Sequence, residues 1–156
     1  MVPIGHVDYK APGQLFISGE LHEVHQMMML CGGTGITPMY QVLKAILLNP
    51  HDTVKVHMIY ANRTEEDILL KDALDALRQE HSDRFSLHYM LSRPKQPDNW
   101  DGLKGHINCD IVQSLIPRAA VHQYAMICGP SGFLTSSTAA LIAHGYSLEN
   151  DTIISF

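Results

Sequence analysis

Residues 27–38 read Met27-Met28-Met29-Leu30-Cys31-Gly32-Gly33-Thr34-Gly35-Ile36-Thr37-Pro38. The apolar run that ends at Cys31 is long enough for a buried strand, and Thr37 before Pro38 predicts a helix with Thr37 as its N-cap. A glycine cluster therefore joins a strand to a helix. Glycines let the backbone approach a ligand closely, and the N-terminus of a helix suits an anion. The stretch predicts a nucleotide-binding turn, and the alternative is a tight strand-to-helix turn without a ligand.

Composition limits the class of protein. The 156 residues are 46% hydrophobic and 17% charged, which is typical of a single domain. The net charge of −5 comes without any basic block, so we expect no nucleic acid partner. No run approaches the roughly 20 apolar residues of a membrane span. The three cysteines, Cys31, Cys109 and Cys128, form no paired framework, so we expect a cytoplasmic location.

Strands and helices alternate along the chain from residue 27 onward. The expected strands are 27–31, 53–60, 85–91, 123–128 and 152–156, and the expected helices are 37–48, 66–81, 109–115 and 131–144. This alternation predicts an α/β fold with a doubly wound, open parallel sheet of about five strands and helices on both faces. The segment from Gly5 to Gly19 contains glycines, a proline and short apolar runs such as Leu15-Phe16-Ile17, which indicate one or two strands or a connecting segment rather than a part of the core.

Three strand ends carry residues suited to ligand binding, namely Gly32–Thr37, Tyr60–Asp67 and Cys128–Phe133. In doubly wound sheets the ligand lies beyond the carboxyl ends of the strands. The usual dinucleotide fingerprint is absent, because its third glycine would fall at Pro38 and no acid closes the second strand. The phosphate-binding P-loop motif is absent as well.

Taken together, the motifs resemble the pyridine-nucleotide half of the ferredoxin reductase superfamily. They are Gly32-Gly33-Thr34-Gly35-Ile36-Thr37-Pro38, Tyr60-Ala61-Asn62-Arg63-Thr64-Glu65-Glu66-Asp67-Ile68-Leu69-Leu70, Cys128-Gly129-Pro130 and the terminal Phe156. Within this superfamily the chain is most similar to cytochrome b5 reductases and to the C-terminal part of eukaryotic nitrate reductases. Leu91-Ser92-Arg93-Pro94, with Trp100 and Gly105, is similar to the loop after the third strand of that family.

The resemblance implies a Rossmann-like domain that binds NADH and delivers hydride to FAD, with electrons passing on to a haem protein. The residues that it implies as cofactor contacts are Gly32, Gly33, Thr34, Gly35, Thr37, Pro38, Ala61, Asn62, Asp67, Gly129, Pro130, Phe133 and Phe156. By this likeness Asp67 holds the adenine ribose, Phe133 flanks the adenine and Phe156 lies near the flavin. Cys128 is implied as the catalytic residue beside the nicotinamide. The Asp67 carboxylate would repel a 2′-phosphate and so favours NADH over NADPH, whereas Arg63 nearby could pair with that phosphate.

One family signature is missing from the chain. The flavin domain of the family carries R-x-Y-[ST], and this tetrapeptide does not occur here. We therefore expect residues 1–26 to be a linker or seam from a flavin domain, and residues 27–156 to be an NADH-binding domain that needs an FAD-binding domain, upstream or in trans, for turnover. The alternative is a free-standing nucleotide-binding module that regulates or scaffolds a partner. A self-sufficient NAD dehydrogenase would need an acid or base that the pattern does not show.

The same residues also have structural interpretations. Cys128 can be a small buried hydrophobic residue, Asp67 a helix N-terminal acid and Phe133 a packing residue. His22 and His25 lie three apart, but the spacing is not H-E-x-x-H and the sequence supplies no third ligand. We therefore expect no metal site.

Overall fold

The structure is a computed structural model that describes residues 2–4 and 6–156, with side chains from residue 6 onward. In chain order its strands are β1 (Val2–Ile4), β2 (Val7–Lys10), β3 (Gln14–Ile17), β4 (Glu20–Glu23), β5 (Gln26–Gly32), β6 (Lys55–Asn62), β7 (Phe85–Leu91), β8 (Leu103–Lys104), β9 (Gln123–Cys128) and β10 (Ile153–Ser155). The helices are α1 (Ile36–Leu47), α2 (Lys71–Glu80), α3 (Cys109–Leu115) and α4 (Ser131–Ala143).

The main sheet has six parallel strands in the order β10-β9-β5-β6-β7-β8. Helices α1 and α2 pack on one face, and α3 and α4 pack on the other. The chain winds outward from β5 in one direction and resumes on the other side with β9, so the switch point lies between β5 and β9. The predicted doubly wound α/β fold is confirmed. The additional strand β8 has only two residues, which is too short for a sequence period to reveal it.

Strand β5 runs through the centre of the core. Met27, Met29 and Cys31 pack on the face of α1 and α2, while Met28 and Leu30 pack on the opposite face. All five side chains are fully buried. A continuous apolar run is typical of a strand that is covered on both faces, and this explains why the strand could be predicted without an alternating pattern.

Residues 2–23 form a second sheet, which is antiparallel and has the order β1-β2-β3-β4. The one or two strands predicted between Gly5 and Gly19 are present as β2 and β3. Their prediction as a segment outside the core was wrong, because Val7, Tyr9, Leu15 and Ile17 are buried in the same core as α1. Strands β2 and β3 are four residues long and carry two buried side chains each, and β4 carries none, so the alternation is too brief to distinguish from a loop. The origin of residues 1–26 in a flavin domain stays a prediction.

Helix α1 begins one residue earlier than predicted. Its N-cap is Gly35, which ends a 3₁₀ turn over Gly33–Gly35, and Thr37 and Pro38 are its second and third residues. The prediction of Thr37 as N-cap was therefore wrong. The reason is that the glycine turn is already helical, so the chain enters α1 without a separate capping side chain.

The predicted helix 66–81 is divided into two parts. A 3₁₀ turn covers Glu65–Asp67, Leu70 adopts a left-handed conformation with φ +57, and α2 follows. Polar and apolar residues continue through this break at helical spacing, so the sequence pattern alone does not reveal it. Among the described residues, no helix is both long and apolar enough to cross a membrane.

Candidate functional site

A cleft of about 890 Å³ lies at the carboxyl ends of the central strands. Each of the three predicted segments contributes to it. The predicted residues that line the cleft are Gly32, Gly33, Thr34, Ala61, Asn62, Asp67, Pro130 and Phe133. The turns after β5, β6 and β9 therefore meet at one place, as expected for a doubly wound sheet.

The other predicted residues do not line the cleft; they are Gly35, Thr37, Pro38, Cys128, Gly129 and Phe156. Gly35 has a structural reason to be glycine. A Cβ added there would lie 2.6 Å from the carbonyl carbon of Cys128, so only glycine allows the turn after β5 to contact the end of β9. The absence of a side chain at Gly35 thus allows β5 and β9 to pack closely at the switch point.

Phe133 covers the junction between two glycine turns. A Cβ added to Gly32 would lie 3.2 Å from Cγ of Phe133, and one added to Gly129 would lie 2.8 Å from its Cδ1. The aromatic ring therefore needs both glycines. It packs on the α3 and α4 side of the sheet and is only partly buried, so part of the ring faces the cleft.

Tyr60 connects the first turn to the second. Its hydroxyl donates to the carbonyl of Gly33 at 3.3 Å and accepts from the N–H of Leu69 at 3.1 Å. The side chain is fully buried, and burial raises the pKa of the phenol. The tyrosine therefore stays protonated at neutral pH and can keep donating to Gly33, whose own φ of +56 suits a glycine.

The second turn holds Asp67 in a capping box. The N–H and the hydroxyl of Thr64 donate to Oδ2 of Asp67 at 3.0 and 2.8 Å. These hydrogen bonds, with smaller effects of the Arg63 and Lys95 charges, lower the pKa of Asp67 below its usual value. The carboxylate is exposed and ionised at neutral pH, and its Oδ1 accepts no hydrogen bond from the part of the chain that the structure describes.

An ion pair ties this turn to the loop after β7. Lys95 Nζ lies 2.8 Å from Oε2 of Glu66, and the backbone N–H of Lys95 donates to the Glu65 carboxylate at 2.9 and 3.1 Å. The loop supplies a wall of the cleft that the site prediction missed. The lining residues outside the predicted segments are Leu69, Ser92, Gly105, His106, Ile107 and Ser136. Within those segments, Arg63, Glu66 and Gly132 also line the cleft, although they were not among the predicted cofactor contacts. The likeness of residues 91–94 and Gly105 to the family loop was the signal that could have identified the wall.

Helix α4 begins at the cleft, and α1 begins two residues after Thr34, the last cleft-lining residue of the 3₁₀ turn before it; neither helix has a capping side chain. The N-cap residues of α1 and α4 are Gly35 and Pro130, and neither makes a side-chain hydrogen bond to its helix. Neither helix has an acidic residue in its first turn. The N–H of Ile36 at the start of α1 donates to the carbonyls of Gly33 and Thr34. The positive dipole ends of the two helices and the first-turn N–H groups of α4 can therefore interact with an anionic group in the cleft.

Asn62 ends β6 and lines the cleft. Its Nδ2 is buried and has no hydrogen-bond partner among residues 2–4 and 6–156. An unpaired buried donor is destabilising, so such an atom often marks a place where a ligand supplies the missing acceptor. We find the same condition at two other side chains, His22 and Ser137, which are not among the cleft residues.

Cys128 and Phe156 lie together behind the cleft. The N–H of Phe156 donates to the carbonyl of Ile127 at 3.1 Å, which brings the terminal residue beside the end of β9. Both side chains are partly buried. Burial raises the pKa of the Cys128 thiol, which is therefore neutral at pH 7 and suited to contact rather than to nucleophilic attack.

A smaller hollow of about 450 Å³ lies beside Trp100 and Tyr89, near the edge of the main sheet. Its two cations, Lys71 and Arg78, already pair with Asp75 at 2.7 and 3.2 Å. Because both cations already contact a carboxylate, they are less available to an anion than unpaired cations would be. The larger cleft is the better candidate for a nucleotide.

Comparison with known proteins places the chain among nucleotide-binding domains. The family described as the oxidoreductase NAD-binding domain matches residues 29–138. NADH-cytochrome b5 reductase 1 of Debaryomyces hansenii is 44% identical over 123 residues, which are 79% of this chain and 43% of that protein. Nitrate reductase [NADH] 2 of Phaseolus vulgaris is 38% identical over 153 residues, which are 97% of this chain and 17% of that protein.

A solved structure agrees with these relatives. The cytochrome b5 reductase domain of Ulva prolifera nitrate reductase superposes on this chain with a TM-score of 0.93 and 39% sequence identity. The superposition covers 99% of this chain and 58% of the Ulva chain. The chain thus spans less than half the length of the two curated relatives. The resemblance drawn from the motifs is confirmed.

Proposed function

The chain belongs to the oxidoreductase NAD-binding domain family, and we propose that it binds NADH in the cleft and serves as the nucleotide half of a flavin-dependent reductase. One observation carries the proposal. Three sequence segments that are far apart in the chain converge on one cleft at the carboxyl ends of β5, β6 and β9. That edge, at the switch point of a doubly wound sheet, is where such folds bind nucleotides.

The two uncapped helix ends suit the pyrophosphate. Helix α4 begins at Ser131, between the cleft-lining residues Pro130 and Gly132, and the 3₁₀ turn that leads into α1 contains the cleft-lining residues Gly33 and Thr34. A pyrophosphate between them would accept hydrogen bonds from backbone N–H groups and interact favourably with both dipoles. The glycines of the first turn leave room for this approach because they carry no Cβ.

Asp67 suits the adenine ribose. Its Oδ2 is held by Thr64, while Oδ1 accepts nothing from the described chain and can accept from ribose hydroxyls. A 2′-phosphate at the same place would meet an ionised carboxylate, so we propose a preference for NADH over NADPH. Arg63 precedes the capping box and reduces this discrimination, because its guanidinium could pair with the phosphate.

We propose that the nicotinamide ring of NADH lies at the switch point between β5 and β9. Cys128 and Gly129 end β9, and Phe133 lies over Gly32 and Gly129. We expect Cys128 to be the catalytic residue in the sense of a contact that sets the distance between nicotinamide and flavin. Phe156 would lie beside the flavin. The Phe133 ring contacts Gly32 and Gly129, which belong to the nicotinamide end, and not the turn that carries Asp67. Its role beside the adenine therefore stays a prediction.

The partners follow from this role. FAD supplies the hydride acceptor and the passage to single-electron chemistry, and an FAD-binding domain would hold it. The names of the relatives include NADH, cytochrome b5 and nitrate reductase, and we propose a haem protein or haem domain as the electron acceptor. A cytoplasmic location is proposed as well, since the cysteines at 31, 109 and 128 are all free thiols.

The test is flavin reduction by a reconstituted enzyme. An FAD-binding domain of the same superfamily is joined upstream of this chain, and the flavin absorbance is followed after mixing with NADH. We expect rapid bleaching that saturates with NADH and is slower with NADPH. If the fusion retains FAD and the chain binds NADH but the flavin stays oxidised, the proposal is wrong and the free-standing regulatory module takes its place.

A further inference from the structure

Three potential metal ligands meet on the far side of the molecule from the cleft. They are Glu23, His25 and His122, and one ligand atom from each lies within 4.8 Å of the other two. Glu23 ends β4, His25 directly precedes β5, and His122 directly precedes β9. In the sequence, His25 lies three residues after His22 and has no third ligand at metal-site spacing. The fold provides the third ligand from a distant part of the chain.

Backbone hydrogen bonds hold the two histidines together. The N–H groups of His25 and Gln26 both donate to the carbonyl of His122, at 2.8 and 3.3 Å. His122 adopts a left-handed conformation with φ +65, which is uncommon for a residue other than glycine. The imidazole ring centres are 4.5 Å apart. The side chains therefore extend from backbone that the start of the main sheet fixes in place.

The side chains are accessible and chemically suited to a metal. Nε2 of His25 lies 2.7 Å from Oε1 of Glu23, and these two side chains are 58% and 65% exposed. His122 is partly exposed. Two imidazole nitrogens and one carboxylate oxygen are donors that Zn²⁺ accepts, with water in the fourth tetrahedral position. At zinc bond lengths of about 2.0–2.2 Å, rotation of exposed side chains is sufficient to bring the three atoms to one ion.

We propose that Glu23, His25 and His122 form a zinc site that ties the antiparallel sheet to the main sheet. His22 is not part of it, because its ring nitrogens are not among the ligand atoms that meet there; its Nδ1 pairs with the Tyr124 hydroxyl at 3.1 Å. The site is separate from the nucleotide cleft. Gln26 and Gly32 begin and end β5, and seven residues of a parallel strand extend about 20 Å. Zinc bound there would stabilise the packing of the two sheets, and this effect does not depend on the proposed function of the cleft.

The test is zinc titration of the chain without any polyhistidine tag, followed by calorimetry and by thermal unfolding. We expect one zinc ion per chain. At about a hundredfold excess over the dissociation constant, the melting temperature should rise by roughly 5–10 °C. His25→Ala, His122→Asn and Glu23→Gln should each weaken binding at least about tenfold. Asparagine is used at 122 because it tolerates a left-handed backbone.

The matched control is His51→Asn, which changes an exposed histidine outside the cluster and should leave zinc affinity unchanged. Circular dichroism establishes that each variant is folded, and Co²⁺ as a second probe should give the visible absorption of a tetrahedral site in the wild type. The proposal is overturned if the wild type binds no stoichiometric zinc, or if folded variants at 23, 25 and 122 bind it as tightly as the His51→Asn control. NADH titration of the same variants should give wild-type affinity.

Discussion

The hydroxyl of Tyr60 donates to the carbonyl of Gly33 at 3.3 Å, so a fully buried side chain of β6 holds the glycine turn that follows β5. The same hydroxyl accepts from the N–H of Leu69. One oxygen atom therefore connects the turn proposed for the pyrophosphate to the segment that carries Asp67. Two walls of the cleft are positioned by a group that no ligand needs to touch.

Removing this hydroxyl should loosen the cleft. Tyr60→Phe leaves a carbonyl and an N–H without their partner, which costs about 1–3 kcal/mol in the free energy of unfolding. We expect a melting temperature lower by several degrees and a severalfold weaker affinity for NADH. Calorimetry with NADH and thermal unfolding measure the two effects.

Tyr40→Phe is the matched control, because the structure shows no hydrogen bond of the Tyr40 hydroxyl to a described residue, and Lys44 lies over its ring. Its melting temperature and NADH affinity should stay at the wild-type values. Equal behaviour of the two variants would show that the Tyr60 hydroxyl does not position the cleft.

Gly35 should tolerate no side chain. Gly35→Ala places a methyl group against the Cys128 carbonyl, so the turn or the end of β9 must move. Overpacking of this kind costs about 1–3 kcal/mol, and the movement should also weaken NADH binding.

Gly132→Ala provides the contrast, because nothing lies within 4 Å of a Cβ added there. Gly132 belongs to α4, where alanine is favoured over glycine by about 1 kcal/mol. Thermal unfolding should therefore show opposite signs for the two substitutions. A Gly35→Ala variant as stable as the wild type would contradict the packing described for the switch point.

The carboxylate of Asp67 should control the choice of nucleotide. Asp67→Asn keeps an oxygen acceptor for Thr64 but removes the negative charge, so NADPH should gain relative to NADH. An interaction worth one pKa unit corresponds to about 1.4 kcal/mol, or tenfold in affinity, and we expect a change of that order in the affinity ratio. Asp72→Asn, at the start of α2, is the control. Unchanged ratios in calorimetric titrations of both nucleotides would make Asp67 a capping residue only.

The same carboxylate predicts a pH dependence of stability. Its pKa is lower in the folded protein than in the unfolded chain, first because of the Thr64 hydrogen bonds. The stabilisation is therefore complete above the unfolded value of about 3.9 and is lost as pH falls through the lower folded pKa. The difference in melting temperature between wild type and Asp67→Asn should be constant near neutral pH and should shrink below about pH 4. A difference that persists at lower pH would contradict this account.

Much of the fold followed from local pattern, and the reasons are physical. Strands 85–91 and 123–128 and helix 109–115 have the predicted bounds, because each is a continuous apolar or amphipathic run between turn residues. The antiparallel sheet was missed because buried residues such as Val7 in β2 and Leu15 in β3 alternate with less buried ones over only four residues in each strand. The break at Leu70 was missed because its left-handed backbone leaves no trace in the periodicity.

The candidate site was predictable only in part. The glycine turns and the capping pattern at Thr64 and Asp67 are formed by residues that are close together in the sequence. The parts of the cleft that they line could therefore be predicted. Ser92 and Ile107 enter the cleft through the pairing of β7 with β8, which is a tertiary feature. The approach of His122 to His25 likewise depends on the pairing of β5 with β9, so no spacing in the sequence indicates it.

Cys128 should affect the rate of hydride transfer rather than nucleotide affinity. If it contacts the nicotinamide, it helps to hold the reacting atoms about 3–3.5 Å apart, where small displacements have large effects on rate. In a fusion with an FAD-binding domain, Cys128→Ser should lower kcat for flavin reduction by about tenfold or more while KM for NADH changes only a few fold. Stopped-flow absorbance measures this, with the exposed Cys109→Ser as control. An unaltered rate with a lower melting temperature would make Cys128 a packing residue.

Titration of the isotopically labelled chain with NADH, followed by amide resonances in nuclear magnetic resonance, tests the central claim most directly. We expect saturable binding of one NADH, with the largest shifts at the three turns, represented by Gly33, Asp67 and Phe133, and none at His25 or His122. NADPH should give the same pattern at higher concentration. Absence of saturable shifts, or shifts confined to residues outside the cleft, would contradict the claim that this cleft binds NADH.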